Sequence, residues 1–78
     1  MKAKVYVTLK NGVLDPQGAA ISKSLKNIGV DGIKEVRQGK YFELELDGKG
    51  NVEEQIKKAC EAVLVNTVIE NFRYEVVA

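Results

Sequence analysis

Apolar side chains recur along this chain at two spacings, and the spacing separates strand from helix. Over residues 2–10 the period is two. Val5, Val7 and Leu9 share one face while Lys4, Tyr6, Thr8 and Lys10 share the other, which predicts a half-buried strand. Asn11-Gly12 is turn-prone. Asp15-Pro16 then predicts a helix start, because Asp15 supplies an acceptor for unpaired amides and Pro16 stands where its missing N–H costs nothing. Ile21, Leu25 and Ile28 follow at i, i+4 and i+7, and Gly29 offers the left-handed residue that commonly ends a helix. The first helix is therefore expected over residues 16–28.

A short alternating run at 33–37 is broken by Gln38-Gly39. Phe42, Leu44 and Leu46 then alternate with Tyr41, Glu43 and Glu45, so a hairpin of second and third strands is expected. Residues 47–50, Asp-Gly-Lys-Gly, form a flexible turn, and Asn51 with Glu54 has capping-box spacing. Ile56, Ala59, Cys60, Val63 and Leu64 form the broad apolar face of a second helix that ends near Asn66. Phe72, Tyr74 and Val76 mark a last strand. This β-α-β-β-α-β order predicts an α+β two-layer sandwich of ferredoxin-like topology, an antiparallel sheet with both helices on one face. The other face carries Tyr6, Thr8, Lys10, Tyr41, Glu43 and Glu45, open to water or a second copy. No linker or repeat interrupts the pattern, and residues 1–78 read as one domain.

Length sharpens this picture. A chain of 78 residues buries only roughly 60% of its unfolded surface, so an isolated copy is marginal and self-association is expected. The single cysteine, Cys60, permits no internal disulfide, and without histidine no zinc cage is plausible. Twelve Lys plus Arg against eleven Asp plus Glu leave a net charge of +1, too little for a uniform field that captures nucleic acid or anionic membrane. The opening residues alternate charge with apolar groups, unlike a signal peptide, and no apolar run approaches the ~20 residues of a membrane span. An intact cytoplasmic protein is expected.

Catalytic chemistry is poorly provided for. The lack of histidine removes the side chain that titrates near neutrality. Glu43 and Glu45 point the same way on one strand, as a glycosidase pair would, but a solvated strand face explains them as well. Cys60 lies on an apolar helical stripe with no base to activate it and reads as a core thiol. The glycines of residues 12–18 match neither G-x-x-x-x-G-K-S/T nor G-x-G-x-x-G, so a capped turn accounts for them. An RNA-binding sheet would need aromatic and basic residues together, whereas residues 40–46 place two carboxylates on that face.

Four segments carry a resemblance: Val7-Thr8-Leu9-Lys10; Asn11-Gly12-Val13-Leu14-Asp15-Pro16-Gln17-Gly18; Val36-Arg37-Gln38-Gly39-Lys40; and Leu64-Val65-Asn66-Thr67-Val68-Ile69-Glu70. Together they resemble the small PurS subunit family of phosphoribosylformylglycinamidine synthase, most specifically in V-L-D-P-Q-G. The one departure is Thr67, where the L-x-N-P-V-I-E pattern has proline, which loosens the turn after the second helix. The resemblance implies a dimeric or tetrameric accessory subunit that bridges a glutaminase subunit, PurQ, and an ATP-using synthetase subunit, PurL. Ammonia from glutamine would then reach activated formylglycinamide ribonucleotide in purine biosynthesis. It implies no catalytic residue and no cofactor on this chain, ATP and Mg belonging to the synthetase, and no nucleic-acid or membrane partner.

The family-specific positions are Asp15, Pro16, Gln17, Gly18, Arg37, Gly39, Lys40, Asn66 and Glu70. They fall in turns and element ends, where recognition groups are presented. Asp15, Pro16 and Asn66 also read as helix caps and Gly39 as a hairpin residue, while Gln17, Arg37, Lys40 and Glu70 have no local duty visible in the sequence. Two rivals share the element order. An ACT-like amino-acid sensor is opposed by the Gln17 insertion between Pro16 and Gly18, and an acylphosphatase-like hydrolase by the absence of arginine from residues 10–18.

Overall fold

The computed structural model describes residues 1–78. Strands β1 (Lys2–Leu9), β2 (Gly39–Glu45) and β3 (Glu70–Val77) form one antiparallel sheet in the order β2-β1-β3. Helix α1 (Pro16–Asn27) follows β1, and α2 (Val52–Ala59) follows β2 and continues into a π-helical turn, Cys60–Leu64. The α+β class and the antiparallel sheet agree with the sequence pattern. No helix is long and apolar enough to cross a membrane.

The core lies between the sheet and α2. Ala3, Val5 and Val7 of β1 meet Ile56, Cys60 and Val65, and these six are the buried hydrophobic residues. The register sets Phe42 and Tyr74 on either side of Val5, and Leu44 and Val76 on either side of Ala3. Phe42, Leu44 and Leu46 remain half-buried. Burial pushes the Cys60 thiol above its ordinary pKa, with Glu61 adding to the effect, so the thiol is an inert packing group.

Caps form where local chemistry predicts them. The Asp15 carboxylate accepts from the Gly18 N–H at 2.9 Å, and the Asn51 side chain accepts from the Glu54 N–H at 3.1 Å. Gly29 takes φ 88° just after α1, as a left-handed helix end requires. Asn66 ends no helix, since the π turn stops at Leu64. Its carbonyl instead accepts from Ile69 and Glu70 and its side chain from Val68, so the turn is closed despite Thr67.

Three expectations fail for tertiary reasons. Residues 33–37 form no strand, and the expected hairpin with β2 is open. A two-residue hairpin turn needs a left-handed residue, and Gly39 is not among the glycines with positive φ. The Gln38 N–H is meanwhile taken by Asp15 at 2.9 Å, which holds the chain straight into β2. Second, α1 does not cover the sheet: it contributes nothing to the core, and Ile21 and Ile28 are 41% and 74% exposed. Helix and following segment project as an arm, and the protomer measures 50 × 27 × 14 Å. Third, Val63 leaves the apolar face of helix two and is 80% exposed, because the Val65 N–H bonds to Cys60 O across a five-residue π turn that rotates the stripe.

Candidate functional site

Three strand ends and one helix start meet at one end of the sheet. β1 finishes at Leu9, β2 begins at Gly39, β3 begins at Glu70, and α1 enters behind Asp15-Pro16. Between them lies a recess of about 310 Å³. Of the nine positions selected from sequence, Asp15, Pro16, Gln17, Gly39, Lys40 and Glu70 line it. Gly18, Arg37 and Asn66 stand behind it and hold its walls. Residues separated by up to 55 positions are thus gathered in one place.

Asp15 is the hub. One carboxylate oxygen accepts from Gly18 N and the other from Gln38 N, each at 2.9 Å, so a single side chain fastens the helix start to the strand approach. The amide of Gln38, then that of Gly18, holds its pKa below the ordinary carboxylate value, and nearby Arg37 acts in the same direction. Gly18 must be glycine, because an added Cβ would meet Asp15 Oδ2 at 2.6 Å and run into the Val36 carbonyl. Gln38 also lines the recess. It was not singled out from sequence, although it lies inside the family-specific Val36–Lys40 segment.

Three residues with no duty visible in the sequence have one in the fold. Arg37 donates to the carbonyls of Leu9 and Lys10 at 3.0 and 3.4 Å, which secures the end of β1. Glu70, 8% exposed, accepts from the Asn66 N–H at 2.8 Å and pairs with Lys40 at 3.4 Å. The Lys40 side chain stays more than half exposed. Gln17 alone keeps no internal partner among these hydrogen bonds and lies open at the recess. Asp15 caps and Pro16 opens α1 as expected, whereas Gly39 is a straight strand residue and turns no hairpin.

The recess offers two carboxylates, one ammonium and two carboxamides. No three His, Cys, Asp or Glu groups lie close enough together to hold a metal ion. On the open sheet face Arg73 covers the Tyr6 ring at 4.0 Å, the Tyr6 and Tyr41 rings meet at a 41° tilt with centroids 5.3 Å apart, and the Tyr41 hydroxyl donates to Glu43 at 3.0 Å. Desolvation, and then that hydrogen bond, push the Tyr41 pKa up, which makes it a poorer proton donor.

A carboxylate with a depressed folded pKa contributes stability that is present above its ordinary value of 3.8 and lost as pH falls through the lower folded value. Asp15→Asn is therefore expected to be less stable than the parent at neutral pH, with the gap closing below pH 3.8. Urea midpoints measured across the acid range test this, and parallel pH curves for the two proteins would contradict it.

Comparison with known proteins agrees with this geometry. The family model described as PurS, phosphoribosylformylglycinamidine (FGAM) synthase, matches residues 2–78. The phosphoribosylformylglycinamidine synthase subunit PurS of Bacillus subtilis is 46% identical over 76 residues, covering 96% of this chain and 90% of that protein. A solved structure of B. subtilis PurS, in a C2 crystal form, superimposes with a TM-score of 0.93 at 45% identity, over 99% of this chain and 98% of the other. A chain in the structure of PurLQS from Thermotoga maritima gives 0.85 at 33% identity, over 95% and 93% of the two chains. With a match that runs almost end to end and the family-specific residues gathered around one recess, this chain belongs to the PurS family of phosphoribosylformylglycinamidine synthase subunits.

Proposed function

We infer that this chain is a subunit of phosphoribosylformylglycinamidine synthase in purine biosynthesis, acting in the cytoplasm as a noncatalytic bridge between the glutaminase and synthetase subunits. Family membership over residues 2–78 carries the reading. It takes residues 1–78 as a single domain that associates with itself. PurL and PurQ are its partners, in line with the PurLQS assembly from T. maritima. ATP and Mg serve the synthetase, and this chain binds neither.

A bridge acts by proximity. Ammonia released at the glutaminase must reach the activated nucleotide before water protonates it, and a spacer that fixes the two active sites in register makes that transfer effectively intramolecular. The recess walled by Asp15, Gln17, Lys40 and Glu70 suits a docking role. Gln17 presents a free carboxamide and Lys40, paired with Glu70, an ammonium that is still more than half exposed, while Arg37, Asn66 and Gly18 stiffen the loops that carry them. The amino-acid sensor reading has no corresponding support from the relatives.

Reconstitution tests the reading. Synthesis driven by glutamine is expected to require this chain when the glutaminase and synthetase are supplied, while synthesis driven by added ammonium chloride proceeds without it. Glutamine-driven turnover that is indifferent to the chain would remove the bridging role.

A further inference from the structure

Asparagines stand at positions 11, 27, 51, 66 and 71, and the first differs from the rest. Asn27, Asn51, Asn66 and Asn71 precede Ile28, Val52, Thr67 and Phe72, whose side chains crowd the peptide nitrogen they share. Local structure restrains them further. Asn51 and Asn66 accept through Oδ1 from the Glu54 and Val68 N–H groups, the Ile28 N–H donates to the Ser24 and Leu25 carbonyls, and Asn71 lies in the paired strand β3. Asn11 precedes Gly12 and has none of these restraints. Both residues are exposed, at the centre of the turn that the Val13 N–H closes on the Lys10 carbonyl at 3.2 Å. Gly12 has φ 85° and nothing within 4 Å of an added Cβ, so the space beside its nitrogen is open. Its N–H donates to no other group of the chain.

We propose that Asn11-Gly12 is a site of spontaneous deamidation, which turns the asparagine into a mixture of aspartate and isoaspartate. Hydroxide takes the Gly12 N–H proton, and the nitrogen attacks Asn11 Cγ. The new N–Cγ bond closes a cyclic imide as the Cγ–Nδ2 bond breaks, and the amide leaves as ammonia with a proton returned by water. Water then opens the ring. Breaking the N–Cγ bond leaves aspartate, whereas breaking the bond from nitrogen to the main-chain carbonyl carbon leaves isoaspartate, with the chain running through Cγ. Water and hydroxide are the only co-reactants, and nothing is oxidised or reduced. Asp47-Gly48 has the same following glycine, but a carboxylate is a poor electrophile, and Asp47 Oδ1 is held by the Lys49 N–H at 2.9 Å.

The position of the turn gives the reaction a consequence. The Lys10 carbonyl that closes it also receives Arg37 at 3.4 Å, and Leu14 and Asp15 of the recess follow directly after Val13. Isoaspartate lengthens the backbone of the turn by one methylene and adds a negative charge, which cancels the formal net charge of +1. The bond from Val13 to Lys10 then has to span a longer ring. The segment that delivers Asp15 to the recess is loosened, and with it the wall that Asp15 holds through Gly18 and Gln38. This loosening bears on docking and rests on the bridging role proposed above; the deamidation needs only the chain itself.

Ageing the full folded chain in mildly alkaline buffer, followed by peptide mapping with mass spectrometry, tests the site. Asn11 should convert at least about tenfold faster than any other asparagine, and faster still as pH rises. The isoaspartyl form of that peptide should take a radioactive methyl group from S-adenosylmethionine in the presence of an L-isoaspartyl methyltransferase. Asn11→Gln, whose side chain has to close a larger ring, should keep its mass and leave the peptide unlabelled. Asn11 intact after a free peptide of residues 7–15 has fully converted, or outpaced by another asparagine, would overturn the proposal. In the reconstituted synthase, aged parent chain should support glutamine-driven synthesis several-fold less well than fresh chain, while aged Asn11→Gln matches fresh. Equal support from aged and fresh parent, or equal loss in the aged variant, would overturn the loosening. A fresh chain that glutamine-driven synthesis does not need would remove the bridging role, and the peptide map would still decide the modification.

Discussion

Ile56→Ala should lower the unfolding free energy by about 3–5 kcal/mol, the upper part of the range for emptying a buried aliphatic site. Ile56 is 1% exposed and is the only large side chain that α2 buries completely. The core holds only six residues, the others being Ala3, Val5, Val7, Cys60 and Val65. A cavity there has few neighbours able to collapse into it, and the sheet behind is held rigid by backbone pairing. A domain of this length has about 4–12 kcal/mol in all, so the variant is expected to be partly unfolded at 37 °C. Val63→Ala is the matched control. Val63 is 80% exposed, and its truncation should cost less than about 0.5 kcal/mol. Urea denaturation followed by circular dichroism separates the two, and equal losses would mean that the core does not lie between α2 and the sheet.

Gly39→Ala should be nearly as damaging, for a different reason. Gly39 opens β2 opposite Thr8, and a Cβ there would run into the Val7 carbonyl and press on Thr8 Cγ2 at 3.2 Å. Val7 lies in the central strand and cannot swing aside without breaking pairing on both flanks, so the penalty is expected to exceed the ~1–3 kcal/mol of ordinary overpacking. At about 4–8 °C per kcal/mol, the melting temperature should fall by roughly 10 °C or more. The cause is contact, not dihedral preference. Asparagine, which tolerates left-handed backbone, should therefore fail at position 39 as alanine does. At Gly29, with φ 88° and nothing within 4 Å of an added Cβ, asparagine should be accepted with little loss. Thermal melts of the three variants check this, and a Gly39→Asn protein as stable as the parent would refute the steric account.

The site and the fold were legible to different depths. Family motifs picked out nine positions, and six of them line one recess. The contacts that unite them, Asp15 to Gln38 and Lys40 to Glu70, join segments 23 and 30 residues apart. No local pattern reports such contacts, so the duties of Arg37, Lys40 and Glu70 were invisible and Gln38 was passed over.

What the sequence alone determined is whatever depends on neighbours within a turn or two. The alternation of β1, the Asp15 and Asn51 caps and the glycine end of α1 all form as their residues dictate, because each is settled by hydrogen bonds and packing over three or four positions. Tertiary structure decided the rest. The run at 33–37 has the pattern of a strand, but a strand exists only where an edge receives it, and the bonds that Asp15 and Arg37 make to distant backbone keep this one from its own β2. The stripe on α1 is likewise a demand for cover. Chain connectivity, set by those long-range bonds, determines that the cover does not come from the protomer's own sheet.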